Sequence, residues 1–156
     1  MKRIGLVAGL LGFMIPQLAL AQNQVFVGTW KANIAKSKYD PGPGPRSETL
    51  EVEAVGDGIK MSLKGVNQRG LYVSEATGKF DGVDVPVVGS PLPQGGVLTD
   101  AFRLLDARTW EIVIKMNGVP QIEVRNIVSE DGKSMRSIST VVNGARVNQV
   151  VIYEKQ

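Results

Sequence analysis

The sequence contains neither histidine nor cysteine among its 156 residues. Without histidine there is no Ser-His-Asp or Cys-His nucleophile system, no histidine general base and no histidine metal ligand. Without cysteine there is no disulfide, no thiolate zinc site and no iron–sulfur cluster. Most familiar hydrolase and metalloenzyme sites are therefore excluded. We predict a protein that is not an enzyme and that holds no metal or other cofactor.

Residues 1–21 have the pattern of a secretory signal peptide. Lys2 and Arg3 provide the positive start, residues 4–15 form an uncharged and mostly apolar run, and the segment ends on Ala-Leu-Ala. A membrane anchor is the alternative, but a spanning helix needs ~20 mostly apolar residues, more than this run supplies. We therefore predict cleavage after Ala21, a periplasmic or secreted protein, and no stable membrane insertion after cleavage.

The charge balance gives little support for a nucleic-acid surface. The formal net charge is +3, and loss of the predicted signal peptide removes two of those positive charges with Lys2 and Arg3. The longest basic cluster, at residues 36–38, is short, whereas nucleic-acid surfaces usually combine a basic patch with stacking aromatic residues. We therefore predict no nucleic-acid partner.

Alternating apolar and polar residues predict β-strands through most of the remaining chain. Leu50, Val52 and Ala54 alternate with polar neighbours, a Gly-Asp-Gly turn follows at 56–58, and the alternation resumes at Ile59. Similar turn dipeptides recur at regular spacing, and no segment shows a convincing helical period. The sequence thus predicts strands near residues 25–31, 49–54, 59–64, 70–80, 83–88, 97–105, 109–116, 119–128, 134–142 and 146–154.

Short strands joined mostly by tight turns predict a single all-β domain over residues 22–156. A sandwich and a barrel are both compatible with this spacing. We expect an antiparallel up-and-down β-barrel of about 8–10 strands, because closure removes the edges that a long open meander would expose.

A proline-rich flap interrupts the strand pattern at residues 32–46. It contains Pro41, Pro43 and Pro45, and a proline inside an α-helix costs ~3 kcal/mol. We therefore expect an extended or polyproline-like segment rather than a helical lid. Such a segment either spans one end of the barrel or, through residues 36–45, binds a protein partner.

Both ends of the predicted barrel resemble a known superfamily. Residues 25–31 read Val-Phe-Val-Gly-Thr-Trp-Lys, and residues 151–155 read Val-Ile-Tyr-Glu-Lys. The Gly-x-Trp on a first strand resembles the signature of the calycin superfamily, which includes lipocalins, avidins and fatty-acid-binding proteins. The fuller pattern is most similar to fatty-acid-binding proteins, and segments between residues 28 and 43 also resemble an uncharacterised group of exported bacterial lipocalin-like proteins.

The resemblance implies a calycin-like barrel whose closed end is built by Gly28, Trp30 and a basic residue. Trp30 would pack across that end beneath a cation from a late strand, either Lys155 or Arg146. A cation over an indole face is favourable by ~0.5–2 kcal/mol.

The resemblance does not imply fatty-acid binding. Fatty-acid-binding proteins hold the lipid carboxylate with an Arg-x-Tyr on the final strand. Here Tyr153 matches the tyrosine, but Val151 stands at the arginine position.

Polar side chains at inward-facing strand positions are the candidate ligand-binding residues. Asp100 shares its parity with Leu98, so its carboxylate faces the barrel interior unless it lies at the rim in water. Tyr72, Asn126 and Tyr153 also have inward parity, although a one-residue bulge would reverse any of these assignments.

Two further features leave alternatives open. Trp30 and Trp110 either line a ligand pocket or pack in the core, as apolar faces of period two usually do. The late strands, 134–142 and 146–154, carry apolar residues on both faces. That pattern fits either a partly polar lumen or an apolar outer patch for a partner.

The leading functional hypothesis is a carrier or sensor for a small apolar or amphipathic ligand, because a barrel of around ten strands can enclose a cavity. Tyr72, Asp100, Asn126 and Tyr153 would orient that ligand. The alternative is a cell-envelope protein–protein interaction module with no small-molecule ligand. This alternative predicts a lumen filled by side chains.

Overall fold

The computed structural model describes residues 23–90, 96–142 and 146–156. The predicted signal peptide, residues 1–21, lies outside this part of the chain. Within the described residues, no helix is long and apolar enough to cross a membrane. The strands are β1 (Gly28–Ala32), β2 (Lys38–Tyr39), β3 (Ser47–Val55), β4 (Gly58–Asn67), β5 (Gly70–Gly78), β6 (Asp81–Pro86), β7 (Val88–Ser90), β8 (Leu98–Asp106), β9 (Thr109–Met116), β10 (Val119–Val128), β11 (Ser134–Val141) and β12 (Arg146–Lys155).

The strands form one antiparallel sheet in the order β6-β8-β9-β10-β11-β12-β1-β3-β4-β5-β7, with β2 on β12. The two ends of the domain meet, because β1 pairs with β12 and Trp30 lies opposite Lys155. The remaining gap, between β5 and β8, is bridged by one stretch of chain at residues 81–90. Its first part, β6, pairs with β8, and its last part, β7, pairs with β5. The sheet is therefore a nearly closed barrel.

The prediction of an all-β antiparallel barrel is confirmed, but the described sheet has more strands than predicted. One additional strand, β2, lies inside the flap, where Lys38 and Tyr39 pair with β12. The other, β7, arises because two strands occupy the region of the predicted strand at 83–88. The first, β6, ends at Pro86 and pairs with β8, and the second, β7, begins at Val88 and pairs with β5.

The turn dipeptides noted in the sequence place the hairpins. Asn117 and Gly118, between β9 and β10, have φ angles of 51° and 78°. Two successive positive φ angles are typical of the tight turns whose twist matches that of paired strands, and the Asn-Gly dipeptide tolerates them well. Local chemistry thus fixes the register of this hairpin.

Aromatic side chains fill one end of the barrel. The ring centroid of Trp110 lies 5.9 Å from those of Phe80 and Phe102 and 6.1 Å from that of Phe26. Such spacings are typical of favourable aromatic pairs. Trp30 and Trp110 are both 0% exposed, and the indole N–H of Trp30 donates a 2.8 Å hydrogen bond to the carbonyl of Phe26. Both tryptophans are therefore core residues.

The flap is anchored to the barrel on two sides. On one side β2 pairs with β12, and the hydroxyl oxygen of Ser37 accepts a 3.0 Å hydrogen bond from the backbone N–H of Ile152. On the other side the N–H of Arg46 donates a 2.7 Å hydrogen bond to the carbonyl of Val66 in β4. The flap therefore crosses the barrel end that lies opposite the aromatic cluster.

Between these anchors the chain runs through the three flap prolines. The ring of Tyr39 lies so close to Gly44 that a Cβ there would collide with it. Asp40 forms an exposed ion pair with Arg146, with 2.9 Å between Oδ1 and Nη2. Residues 32–46 contain one short 3-10 turn, Ile34–Lys36, and no α-helix.

Candidate ligand cavity

A cavity of about 470 Å³ lies beneath the flap. Small-molecule sites in proteins usually measure roughly 300–1,000 Å³. The strands contribute inward-facing residues from the ends that lie near the flap, while their other ends carry the aromatic cluster. The apolar wall includes Leu50, Met61, Leu63, Ile112, Ile114 and Val151.

All four predicted ligand-binding residues, Tyr72, Asp100, Asn126 and Tyr153, line this cavity. They come from four different strands, β5, β8, β10 and β12, which barrel closure brings around one space. They do not form one cluster. Tyr72 and Tyr153 share a hydrogen-bond partner, whereas Asp100 and Asn126 lie in different rows of the sheet.

Asp100 is 3% exposed, so the interpretation that placed it at the rim in water is wrong. Leu98, Asp100 and Phe102 alternate on the inner face of β8, which carries the carboxylate into the cavity wall. Burial raises the pKa of Asp100 from 3.8 to about 7, and no charged or hydrogen-bonding neighbour opposes that rise. Among the described residues, Asp100 is thus a buried acid without a cationic partner.

Glu48, which directly precedes the predicted strand 49–54, is the site residue that the sequence pattern missed. It is 9% exposed and accepts two hydrogen bonds of 2.5 Å, from the hydroxyl of Tyr72 on Oε2 and from that of Tyr153 on Oε1. Its parity with Leu50 and Val52 is the signal that identifies it as inward-facing. Each oxygen of this buried carboxylate therefore has a phenol donor.

Small residues separate Glu48 from both of its partners. Gly65 of β4 lies opposite Glu48 and also opposite Tyr72, and a Cβ at Gly65 would collide with the Tyr72 ring. Ala32 of β1 lies opposite Tyr153, and continuing the β1–β3 register by one residue places it beside Glu48. Each tyrosine therefore reaches across one intervening strand to the shared carboxylate.

The tyrosines around Glu48 remain hydrogen-bond donors. Burial, with a further contribution from Glu48, raises the pKa of Tyr72 and of Tyr153 well above the usual value. Burial and the charge of Glu48 also raise the pKa of Tyr39. The hydroxyl of Tyr39 is buried and has no hydrogen-bond partner within the described part of the chain.

Asn126 presents a second polar group without a partner. The side chain is 1% exposed and lines the cavity, and its Nδ2 makes no hydrogen bond within the described residues. It lies opposite Trp110 on one side and opposite Ser137 on the other. A buried amide donor in this position can be satisfied by an acceptor inside the cavity.

A bulge explains part of the mixed pattern of the late strands. The pairing of β11 with β12 shifts register between Ser139 and Thr140, so that Ser139 lies opposite Gln149 and Thr140 opposite Val147. Asn148 and Gln149 both line the cavity, although they are neighbours in sequence. The lumen is therefore partly polar, with Ser139 also contributing to its wall. The bulge does not account for Ile138 and Val150, which lie opposite one another on the other face of the sheet.

At the closed end, the Lys155 ammonium lies over Trp30, with 4.9 Å between Nζ and the ring centroid. The stem of Lys155 passes so close to Gly28 that a Cβ at Gly28 would meet its Cε at 2.6 Å. This is the arrangement that the resemblance implied for Lys155. Arg146 does not take that role, because it begins β12 at the flap side and pairs with Asp40.

The cavity wall is acidic. Among the described residues it contains the carboxylates of Asp40, Glu48 and Asp100 and no lysine or arginine. Val151, at the position where the resemblance places an arginine, is one of its apolar residues. The described residues also contain no group of three or more acidic side chains that could hold a metal ion.

Known proteins are similar to this chain in fold. No family model matches it, and no curated protein matches it. The fluorescent protein UnaG in its wild-type form is 17% identical with a TM-score of 0.58, and the match covers 86% of this chain and 99% of that one. A mutant of UnaG is 16% identical with a TM-score of 0.60, covering 85% and 97% of the two chains. At this identity the likeness concerns the fold alone, a nearly closed antiparallel β-barrel.

Proposed function

We propose that this protein is a non-enzymatic carrier or sensor that holds a small amphipathic molecule inside its barrel. The observation that carries the proposal is the cavity of about 470 Å³ beneath the flap. Contact with the aliphatic wall would remove the apolar part of a ligand from water, which is favourable by about 25 cal/mol per Å². The polar groups would then fix the orientation of that ligand.

Two buried polar groups support an orienting role for the wall. Asn126 Nδ2 and the Tyr39 hydroxyl have no hydrogen-bond partner within the described residues. A buried polar group that stays unpaired costs about 1–3 kcal/mol. A ligand with complementary groups would remove that cost.

The cavity also favours a carrier over the interaction module, because the module predicts a lumen filled by side chains. Part of the flap, moreover, is already occupied by contacts with the barrel. Lys38 and Tyr39 pair with β12, and the ring of Tyr39 lies against Gly44. These contacts leave less of residues 36–45 free for a protein partner.

We further propose that the protein is exported, as an exported bacterial lipocalin-like protein would be. The support is the sequence of residues 1–21, with its positive start, apolar run and small residues at the end. Expression of the full chain in a Gram-negative bacterium, fractionation and N-terminal sequencing test this. The expected product is periplasmic or secreted and begins at Gln22; a cytoplasmic product that begins at Met1 would contradict export.

A dye titration tests ligand binding. Nile red, an uncharged dye whose emission depends on its surroundings, is expected to show a saturable change with this protein. Because Trp30 and Trp110 lie outside the cavity wall, dye emission is a better signal than tryptophan emission.

A matched pair of variants tests whether the dye binds inside the cavity. Val124 lines the cavity, whereas its neighbour Glu123 is exposed on the outer face of β10. Val124→Trp fills part of the lumen and is expected to weaken dye binding at least tenfold, while Glu123→Trp leaves it unchanged. Equal binding by both variants, or no saturable signal from the parent protein, would count against the carrier.

A further inference from the structure

We propose that the ligand is a cationic amphiphile whose polar end is an ammonium group, and that the carboxylate of Asp100 binds that group. This inference names the ligand class of the cavity and therefore rests on the proposed function. It follows from three observations: the charge of the wall, the isolation of Asp100, and the free amide donor of Asn126.

The first observation is that the wall has one sign of charge. Its described charged residues are Asp40, Glu48 and Asp100, and Arg and Lys are absent from the described lining. Asp40 is paired with Arg146 at the mouth, and within the described lining no cation faces the two carboxylates deeper in the barrel. A fatty-acid anion would meet like charge in a poorly solvated space, where such repulsion is strong.

The second observation is that the two inner carboxylates differ in their hydrogen bonding. Glu48 already accepts hydrogen bonds from Tyr72 and Tyr153 on its two oxygens. Asp100 is 3% exposed and has neither a hydrogen bond nor a nearby opposite charge among the described residues. A buried charge is unfavourable unless it is paired, and an ammonium group would supply the pairing that the protein lacks.

The third observation concerns the body of the ligand. Asn126 is 1% exposed, and its Nδ2 has no hydrogen-bond partner among the described residues. The residue lies in the sheet row of Trp110, closer to the aromatic end than the row of Asp100. A ligand with its ammonium at Asp100 would therefore extend along the aliphatic wall toward Asn126. An ether, hydroxyl or carbonyl oxygen along that chain would satisfy the amide.

Three probes of equal chain length test the charge preference: dodecylamine, dodecanol and dodecanoate, each below the concentration at which it aggregates. Displacement of Nile red and titration calorimetry measure their affinities at neutral pH. We expect dodecylamine to bind at least tenfold more tightly than dodecanol, and dodecanoate to bind most weakly.

Two variants test whether Asp100 causes the preference for the amine over the alcohol. Asp100→Asn has nearly the same shape as the parent side chain and should reduce the ratio of amine to alcohol affinity toward one. Glu53→Gln removes the same charge from an exposed position on β3 and should preserve the ratio. Thermal unfolding of each variant verifies that it is folded.

The outcomes separate the two levels of the proposal. Saturable binding of dodecanol with equal or weaker binding of the amine would overturn the ammonium inference and leave the carrier intact. A preference for the amine that survives in Asp100→Asn would overturn the role of Asp100. Absence of binding by all three probes and by Nile red would overturn the carrier itself.

Discussion

The hydroxyl of Tyr153 donates a 2.5 Å hydrogen bond to Glu48, which lies 105 positions earlier in the chain. The bond joins β12 to β3 across β1, at the place where the two ends of the domain meet. Ala32 lies between the two residues and is small enough to let the phenol pass. The contact therefore links barrel closure directly to the wall of the cavity.

Removal of this phenol should destabilise the barrel. Tyr153→Phe leaves one oxygen of a buried carboxylate without its donor, and we expect the free energy of unfolding to fall by about 1–3 kcal/mol. Urea unfolding measures this free energy. In a Glu48→Gln background the same change should cost less, because the charge that the phenol solvates is gone. A loss of equal size in both backgrounds would show that the hydrogen bond is not the cause.

Gly65 is the position where a single methyl group should disrupt the cavity wall. In Gly65→Ala the added Cβ collides with the Tyr72 ring, which must then leave Glu48, and it also lies 2.8 Å from the backbone oxygen of Ser47. We expect a loss of about 1–3 kcal/mol in the free energy of unfolding, as for other overpacked positions. Gly42→Ala is the control, because a Cβ there meets only the Tyr39 carbonyl oxygen, at 3.8 Å. Similar stabilities of the two variants would contradict this explanation.

Asp100 should make stability depend on pH. Its pKa is about 7 in the folded chain against an ordinary value of 3.8 in the unfolded chain, so the folded state binds more protons than the unfolded state between these values. Its contribution to stability is therefore complete below about pH 4 and is lost as the pH rises through 7, by on the order of 4 kcal/mol at most.

Comparison with Asp100→Asn isolates this effect, because Asp40, Glu48 and the tyrosines of the wall are common to both chains. The stability of the parent relative to the variant should decrease between about pH 4 and pH 7 and level off above that, as measured by urea unfolding at each pH. A difference that stays constant over this interval would refute the assignment to Asp100.

Lys155 should stabilise the closed end by a small amount. Lys155→Met keeps much of the aliphatic stem beside Gly28 but removes the cation from the face of Trp30, and we expect a loss of about 0.5–1 kcal/mol because the ammonium is exposed. The tryptophan fluorescence spectrum, to which Trp30 contributes, should change as well. Lys31→Met removes an exposed lysine from the opposite face of β1 and is the matched control. An effect of the same size from both variants would indicate general charge removal.

Period-two alternation was enough to predict much of the fold. Leu50, Val52 and Ala54 alternate with polar residues before a Gly-Asp-Gly turn, and β3 and β4 form a hairpin there. The same parity argument placed Tyr72, Asp100, Asn126 and Tyr153 on inner faces, and all four line the cavity. Local alternation is informative because one face of each strand contacts the interior.

Features that depend on pairing between distant strands were not predictable. Glu48 was missed because the strand extends beyond the alternation that marks it, and its partners lie on β5 and β12. Asn148 joins Gln149 on the cavity wall because of a register shift that the sequence does not mark. The burial of Asp100 follows from the closure of the whole sheet, which the composition of β8 alone does not reveal.

The two-sided attachment of the flap has a consequence for how a molecule reaches the interior. Hydrogen bonds hold one side to β12 at Ile152 and the other to β4 at Val66. A cover fixed at both sides cannot swing about a single hinge. Admission through this face therefore requires either that the proline span at 41–45 arch away from the barrel while both attachments hold, or that the contacts on one side break.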